Sequence, residues 1–493
     1  MGIIQKGSSL STFYLVIGIL LGFVTSGLLI PNYFTKEQNG VGIQLSSYFL
    51  IYSQVVLLGL HTTVIRFYPH FKDDATRHRG FLTIVSLVIL CSILLFSVLF
   101  FSSLYLAPSF FEDSPLFGQY YWLVFPLTAF TVYFYLFDAY YSAQLKGSRG
   151  FFLKDVFQRI LIILAIFGFI IWHFSFHSFV IIYCIATCIP TLIFMVMLLR
   201  EKQFSFTPRI TAMYKENWKY MTKVSGYSLL LGISWVGITN IDAIMIEKML
   251  NLEQVGIYGR NMFFGILVSV PYRAIHKVSS GVISNSFKEN NLENVKTVYY
   301  KSSLNQMIIG AFIFCGLWLN IKNIYQLIPA SYEAGKYVIL FIGLGNFFTM
   351  IGGVNTAVIS FSPYYRWNTI FVAILLVLVI IFNLIFIPLY GITGAAMAAA
   401  ISILLYNVLM YFFLLGKYKF QPIGLKHLYI LLITAGCFYI AYIIPVIQVS
   451  FLVDILVRSS CFTLLFGILI LVTKVSPDIN GTVNTVIKKF VKK

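Results

Sequence analysis

Charged side chains are scarce in this chain. Asp, Glu, Lys and Arg make up 11% of the 493 residues, whereas hydrophobic residues make up 59%. A soluble globular domain carries charge at about a quarter of its positions, so this composition excludes a soluble enzyme or binding domain and predicts that most of the chain lies in lipid. Acidic residues are the scarcer kind, with 17 against 35 basic ones. The basic residues lie in short connections between apolar runs, which indicates membrane orientation and argues against a nucleic-acid partner.

Catalytic and metal-binding patterns are also missing. The six cysteines all fall within apolar segments, where they are typical small packing residues; they are Cys91, Cys184, Cys188, Cys315, Cys437 and Cys461. We find no convergent acid or histidine cluster, no metal-ligand spacing and no nucleotide-binding motif, and no loop longer than about 25 residues. We therefore predict a protein that is not an enzyme and has no cofactor. A membrane-bound glycan polymerase or glycosyltransferase is the least favoured alternative.

Long apolar runs predict an all-α polytopic membrane protein with fourteen spans. A helix needs about 20 apolar residues to cross about 30 Å of hydrocarbon, and charge, Pro or Gly bounds each run of that length. The runs are 10–30, 43–66, 81–106, 117–144, 153–172, 176–200, 221–248, 256–282, 298–320, 334–361, 365–388, 392–416, 426–446 and 450–473. The first is long enough to span and lacks a small-residue cleavage site, so we interpret it as a retained helix rather than a signal peptide.

The basic residues predict the direction of these spans. When the connections are assigned alternately to two sides, 26 Lys and Arg residues fall on one side and four on the other, and the remaining five lie within spans. The four are Lys36, Lys248, Lys322 and Lys336. Because positively charged loops stay in the cytoplasm, both termini are predicted to be cytoplasmic.

The two halves of the sequence resemble each other at an offset of 216 residues. At this offset spans 1 to 6 fall on spans 7 to 12 without a gap, 37–40 (EQNG) falls on 253–256 (EQVG), and 71–73 falls on 287–289. Six spans is an even number, so the repeat is parallel and its axis runs along the membrane normal. Such a repeat favours a transporter with a cavity between its halves and alternating access.

The repeat predicts four regions. An N-terminal six-helix lobe covers 1–200, a basic cytoplasmic linker covers 201–223, and a C-terminal six-helix lobe covers 224–416. The region 417–493 holds two extra helices and a basic cytoplasmic tail.

Three short motifs lie along the chain in the order of the spans: Ile30-Pro31 followed by 37–40, 240–242 (NID) followed by 256–258 (GIY), and 388–396 (PLYGITGAA). Together they resemble the polysaccharide flippases, including O-antigen repeat-unit translocases, of the multidrug/oligosaccharidyl-lipid/polysaccharide exporter superfamily. The small residues after Gly394 allow helix backbones to approach closely in lipid. The resemblance covers the whole chain.

The resemblance implies a V-shaped cavity between two lobes in the inner (plasma) membrane of a bacterium. It also implies that an undecaprenyl-diphosphate-linked oligosaccharide for lipopolysaccharide or a related polysaccharide moves from the cytoplasmic to the outer leaflet. Expected partners are this lipid-linked glycan, membrane lipids and polysaccharide assembly proteins, with the chain itself a monomer. A multidrug/cation antiporter of the same superfamily is the alternative, although drug-extruding members usually have twelve spans.

Basic residues within spans are the candidate substrate-binding groups. A charge in a span costs about 2.5–3.5 kcal/mol on insertion scales, so it needs a partner, an aqueous cavity or an interface. Arg273 and Lys277 lie one turn apart on span 8 and could hold a lipid diphosphate, Arg through two hydrogen bonds and Lys as a point charge. The offset places His61 of span 2 opposite Lys277, and Arg66 ends the same span. Snorkelling to the interface is the alternative for Lys277 and Arg66, and ordinary packing is the alternative for His61.

Acidic residues within spans are the candidates for ion coupling. Asp138 on span 4 and Asp242 on span 7 have no basic neighbour on their own helix, so each could bind a coupling proton or sodium ion, or pair with a cation of span 8. The structural pair is the preferred interpretation. Asp454 and Arg458, spaced four apart on span 14, are expected to neutralise each other.

Overall fold

The protein is helical throughout the part of the chain that the structure describes. The computed structural model describes residues 2–73, 77–106, 114–205, 212–445, 450–481 and 483. Helices account for 89% of it, and these ranges contain no strand. Twelve of the described helices are long and apolar enough to cross a membrane. The chain is therefore a multi-pass membrane protein, and the predicted all-α class is confirmed.

The helices follow the predicted spans closely in position. In chain order they are α1 (Phe13–Tyr33), α2 (Lys36–Leu57), α3 (Leu60–Phe71), α4 (Phe81–Leu106), α5 (Val124–Ala143), α6 (Ser148–Trp172), α7 (Phe176–Arg200), α8 (Ala212–Met249), α9 (Leu252–Ile266), α10 (Val270–Lys288), α11 (Leu292–Leu319), α12 (Lys336–Ile351), α13 (Asn355–Phe361), α14 (Arg366–Tyr418), α15 (Leu425–Ile443) and α16 (Phe451–Val472). A short helix, Ile321–Leu327, follows α11.

The helix α14 contains two of the predicted spans. Its 53 residues would extend about 80 Å if straight, against about 30 Å of hydrocarbon. At Gly391 the backbone leaves the helical region, with φ 60° and ψ −139°, a conformation that only glycine adopts readily. A Cβ added to Gly394 would overlap the carbonyl oxygen of Phe386, so the chain folds back sharply here. The two arms correspond to the predicted spans 365–388 and 392–416.

Two predicted spans are interrupted. Span 2 is divided into α2 and α3 by Leu58 and Gly59, which both adopt left-handed backbone angles. Span 8 is divided into α9 and α10 by a turn of 3-10 helix at Leu267–Ser269. Pro271 stands in the first turn of α10, where its missing N–H costs nothing. The continuous spans predicted at 43–66 and 256–282 are therefore corrected to broken helices.

Contacts group the chain into two compact units, Met1–Gly259 and Arg260–Lys493. The core of the first is rich in aromatic rings from α3, α4 and α5, such as the stacked Phe71 and Phe81. In the second, α15 and α16 pack on α11 through buried residues that include Phe462 and Phe466. The four regions predicted from the repeat stay a prediction.

The repeated motif makes a reciprocal contact within the first unit. A Cβ on Gly40 would overlap the Leu252 carbonyl oxygen, and a Cβ on Gly256 would overlap the Lys36 carbonyl oxygen. Gly40 and Gly256 differ by 216 positions, as do Lys36 and Leu252. The two copies of the motif thus contact each other in the self-complementary manner of a twofold interface. An ion pair of 2.8 Å between the Lys36 Nζ and a Glu253 carboxylate oxygen lies beside it.

We expect Gly40→Ala and Gly256→Ala each to destabilise the protein by about 1–3 kcal/mol, because the added methyl group meets backbone atoms that can yield only if helices move. Gly42→Ala, in the same helix, is the matched control, since a Cβ there meets nothing within 4 Å. It should be neutral or stabilising by about 0.5–1 kcal/mol. Thermal unfolding in detergent measures all three; equal effects at Gly40 and Gly42 would contradict the reciprocal contact.

Candidate functional site

Two of the predicted site residues meet in one pocket of the first unit. The pocket has a volume of about 260 Å³ and contains both His61 of α3 and Asp138 of α5. The complete lining is Gln54, Leu57, His61, Ile65, Tyr135, Asp138, Ala139 and Ser142. Nothing in the sequence indicated that His61 and Asp138 lie close together, because 77 positions separate them. Amide, hydroxyl, imidazole and carboxyl groups therefore converge on a space that also has apolar walls.

The break between α2 and α3 positions His61. The Ser225 hydroxyl of α8 donates a hydrogen bond to the Leu58 carbonyl at the break, and the Ser228 hydroxyl donates to Thr62 Oγ1 over 2.6 Å. A Cβ on Gly59 would overlap the Ser225 carbonyl oxygen, so α8 lies directly against the break. Small and hydroxylated residues thus hold α3 in place.

One ring nitrogen of His61, Nδ1, is buried without a hydrogen-bond partner among the described residues. Leaving such an atom unpaired costs about 1–3 kcal/mol, which a purely structural histidine would be expected to avoid. The imidazole can donate, accept or carry a proton.

Asp138 is held by a neighbouring helix. Gly150, at the start of α6, approaches so closely that a Cβ there would overlap the Asp138 carboxylate oxygen. Lys154, also on α6, donates a 3.0 Å hydrogen bond from its Nζ to the hydroxyl of Tyr135, another lining residue. The structure thus brings a cation of α6 to the wall of the pocket that holds Asp138, and the predicted pairing of Asp138 with a cation of span 8 stays a prediction. Lys154 was missed because it stands at the end of a predicted span, where a lysine ordinarily snorkels.

A charged cluster fixes the helix ends near the pocket. Arg149 Nη1 lies 2.7 Å from Glu201 Oε1, and Lys146 Nζ lies 3.8 Å from Glu201 Oε2. The Arg149 guanidinium also lies 4.7 Å over the ring of Tyr141. Burial raises the pKa of the Glu201 carboxyl, but the hydrogen bond and charge of Arg149 and the charge of Lys146 outweigh it, so this pKa lies below the usual 4.5. The cluster joins the ends of α5, α6 and α7.

We expect Glu201→Gln to lower the free energy of unfolding by about 1 kcal/mol at neutral pH, the scale of a partly exposed ion pair. Because the folded-state pKa is depressed, the wild-type contribution is complete above pH 4.5 and is lost as the pH falls through the lowered pKa. Thermal unfolding of both proteins from neutral pH to about pH 3 measures it. The two curves should converge at the acid end, and a constant gap would contradict this account.

Arg66 does not line the pocket. It is exposed on α3, donates a hydrogen bond to the Tyr220 hydroxyl of α8 and lies 4.9 Å above the Tyr220 ring. This contact joins α3 to α8, which fits the interfacial alternative better than the cavity-lining one. A role for Arg66 in binding substrate stays a prediction.

Arg273 and Lys277 share an exposed face of α10 in the second unit. Exposed positions recur every four residues along this helix, at Arg273, Lys277, Gly281 and Asn285. An adjacent face of α10 is anchored by His276, whose Nε2 lies 2.9 Å from the Thr356 hydroxyl of α13. That the two cations lie on one face is confirmed; that this face lines a cavity stays a prediction.

Asp242 is part of a buried network. It is 2% exposed and accepts a 2.6 Å hydrogen bond from the hydroxyl of Tyr258, itself buried. This arrangement favours the structural interpretation over ion coupling. The sequence missed a second buried acid, Glu247, which is 1% exposed, lies 3.4 Å from the Gln44 amide nitrogen and has one oxygen without a partner among the described residues. Its position beside Lys248 at the end of a span made it resemble an ordinary loop residue.

The predicted pair on span 14 is confirmed. Arg458 Nε and Asp454 Oδ1 are 3.0 Å apart, and both side chains are buried. The Asn323 amide donates to the other Asp454 oxygen over 2.7 Å, and Arg458 also donates to the Ile444 carbonyl. The pair thus fixes α16 against its neighbours.

Comparison with solved structures identifies this arrangement of helices. The lipid II flippase MurJ in an inward closed conformation superposes with a TM-score of 0.72, over 94% of this chain and 99% of that chain, at 15% sequence identity. The chain shares the fold of this flippase. An inward-facing multidrug resistance MATE family transporter gives 0.61, at 14% identity over 82% of this chain and 97% of that chain. A MATE transporter from Vibrio cholerae gives 0.58, at 10% identity over 85% and 100%.

Comparisons at the level of sequence give no match. No family model and no curated protein sequence matches the chain. The similar structures are transporters and flippases rather than enzymes, and at this level of identity the likeness extends to the fold alone.

Proposed function

We propose that this chain is a flippase that moves an undecaprenyl-diphosphate-linked oligosaccharide, a precursor of O-antigen or a related surface polysaccharide, from the cytoplasmic to the outer leaflet by alternating access. The observation that carries the proposal is coverage. The lipid II flippase matches 94% of this chain, whereas the two MATE transporters described above match 82% and 85%. A physical reason for this difference in coverage is that α15 and α16 exceed the twelve spans usual in drug exporters.

Charge complementarity supports this class of cargo. A diphosphate must leave water to cross the bilayer, and its negative charges then need cationic or hydrogen-bonding partners. The exposed face of α10 that carries Arg273 and Lys277 offers two cations one helical turn apart. A lipophilic cation, the cargo of a drug antiporter, would be repelled by the same face.

We further propose that the pocket of His61 and Asp138 couples transport to a proton or sodium gradient. An imidazole and a carboxyl group can each take up or release a proton, and a carboxylate can bind a cation. Both side chains line one small polar pocket. The pair and the cargo face consist of different residues, so coupling and cargo binding can be tested by separate substitutions. Operation as a monomer in the bacterial plasma membrane, with both termini cytoplasmic and polysaccharide assembly proteins as partners, belongs to the same proposal.

Reconstitution tests the proposal directly. The purified chain is placed in liposomes that contain a fluorescent undecaprenyl-diphosphate oligosaccharide, and an impermeant quencher reports the lipid in the outer leaflet. We expect flipping to exceed that in protein-free liposomes and to respond to an imposed proton or sodium gradient. Absence of flipping, together with export of a cationic dye from the same liposomes, would favour the multidrug antiporter. Flipping that ignores both gradients would reject only the coupling role of His61 and Asp138.

A further inference from the structure

A second pocket lies in the second unit, where spans meet at their lysine-rich ends. Its volume is about 250 Å³, and three lysines from two helices line it: Lys296 and Lys301 of α11 and Lys426 of α15. Two acids, Glu293 and Asp478, line it as well. The pocket belongs neither to the cargo face of α10 nor to the pocket of His61 and Asp138.

One wall of this pocket is fixed by the segment that follows α16. The Asp478 carboxylate accepts hydrogen bonds from Lys301 Nζ over 3.1 Å and from the Asn305 amide over 3.0 Å. The Ser476 hydroxyl, on a fully buried residue, donates to Asn305 Oδ1, the side-chain amide oxygen, over 2.5 Å. Asp478 is therefore neutralised by Lys301, which leaves Lys296 and Lys426 as the cations without an ion pair among the described residues.

Hydrogen bonds also fix the start of α15. The Gly424 N–H donates to His427 Nδ1 over 3.2 Å, so the ring proton is on Nε2. That nitrogen donates over 3.0 Å to the Ser303 hydroxyl, which in turn donates to the Ile351 carbonyl over 2.6 Å. The His427 ring also contacts the Tyr300 ring edge-on, with centroids 5.9 Å apart. Lys426, the adjacent residue, is thereby held at the pocket.

The surroundings of the pocket select the kind of anion. An exposed apolar stripe of α15 begins at Leu425, the residue before Lys426, and continues through Leu428 and Leu432, at the spacing of one helix face. This stripe lies in a membrane span, so a molecule with its anionic group in the pocket would have acyl chains beside it. Basic pockets at the ends of transmembrane helices bind anionic lipid headgroups in this way.

We propose that this pocket binds the phosphate headgroup of an anionic phospholipid, held by Lys296 and Lys426, with Tyr300 in the same lining. Glu293 opposes binding, because its carboxylate lines the same space. The occupant is an annular membrane lipid rather than the transported cargo. The inference does not rest on the proposed function and holds for a drug exporter as well.

Native mass spectrometry of the full chain in detergent tests this assignment, with dioleoyl phosphatidylglycerol as the titrated probe. We expect Lys296→Gln with Lys426→Gln to weaken lipid binding about 30-fold, equivalent to about 2 kcal/mol at 1.4 kcal/mol per factor of ten. Lys72→Gln with Lys202→Gln, two exposed lysines of the first unit, is the matched control and should bind like the wild type. Lys296→Arg with Lys426→Arg should retain binding, and Glu293→Gln should strengthen it.

Two further binding measurements distinguish a lipid phosphate from a soluble one. Dioleoyl phosphatidylcholine should bind at least about ten-fold more weakly, and millimolar inorganic phosphate should fail to displace phosphatidylglycerol, because neither combines net negative charge with acyl chains. Displacement by inorganic phosphate alone would reassign the pocket to a soluble anion. Equal lipid binding by the Gln pair and the wild type would overturn the proposal outright.

Discussion

Charge reversal at Arg273 should abolish flipping of the lipid-linked glycan. The glutamate would remove the group best suited to grip a phosphate through two hydrogen bonds, and it would repel the same phosphate. Loss of one charged hydrogen bond alone is worth about 1.5–3 kcal/mol, so we expect a fall of at least about 30-fold in the rate of flipping in liposomes. In cells, surface polysaccharide should disappear while the amount of membrane protein is unchanged.

Two variants make that result specific. Lys322→Glu reverses an exposed charge on the short helix after α11 and should leave flipping intact, which controls for the net charge of the protein. Arg273→Lys keeps the charge but loses the two-pronged geometry, so we expect partial activity between the wild type and Arg273→Glu. Normal export by Arg273→Glu at wild-type protein level would remove Arg273 from the proposed site.

Disruption of the buried pair on α16 should have the largest effect on stability. Asp454→Leu leaves the Arg458 guanidinium buried without its carboxylate, and Arg458→Met leaves the Asp454 carboxylate buried without its guanidinium. Each single substitution should cost about 3–5 kcal/mol, the usual penalty for an uncompensated buried charge. The double substitution should recover most of this loss, because a pair of buried charges is often replaceable by apolar residues of similar volume.

Thermal unfolding in detergent provides the three measurements of this cycle. A coupling energy of several kcal/mol is expected, since the two side chains share one network with Asn323. If the single substitutions proved additive, the pair would contribute no mutual stabilisation and α16 would be held by packing alone. Flipping by the double variant would also show whether α16 needs its ion pair, or only its position, for transport.

The pocket in the first unit illustrates how far sequence reasoning extends toward a site. Sequence identified His61 and Asp138 separately, each because a titratable group within a span demands an explanation. It did not predict their convergence, nor the contribution of Lys154 and Tyr135, because these depend on how α3, α5 and α6 are rotated about their axes. Arg66 contacts the ring of Tyr220, which lies on a helix some 150 positions later. The sequence around Arg66 does not predict such a contact.

Sequence alone determined the membrane class, the all-helical fold and the spacing of the two copies of the motif. These follow from hydropathy and an internal offset, which are properties of the chain read in order. They hold because backbone polar groups in lipid must be hydrogen-bonded within the protein, and a helix satisfies them within one apolar segment. Tertiary structure alone decided the breaks at Leu58–Gly59 and Leu267–Ser269, the reciprocal contact of Gly40 and Gly256, and the groups that meet in each pocket. Many spans here are apolar on every side, so hydrophobic periodicity does not reveal which face packs inward; only close approach of small residues and pairing of polar side chains settles the rotation of each helix.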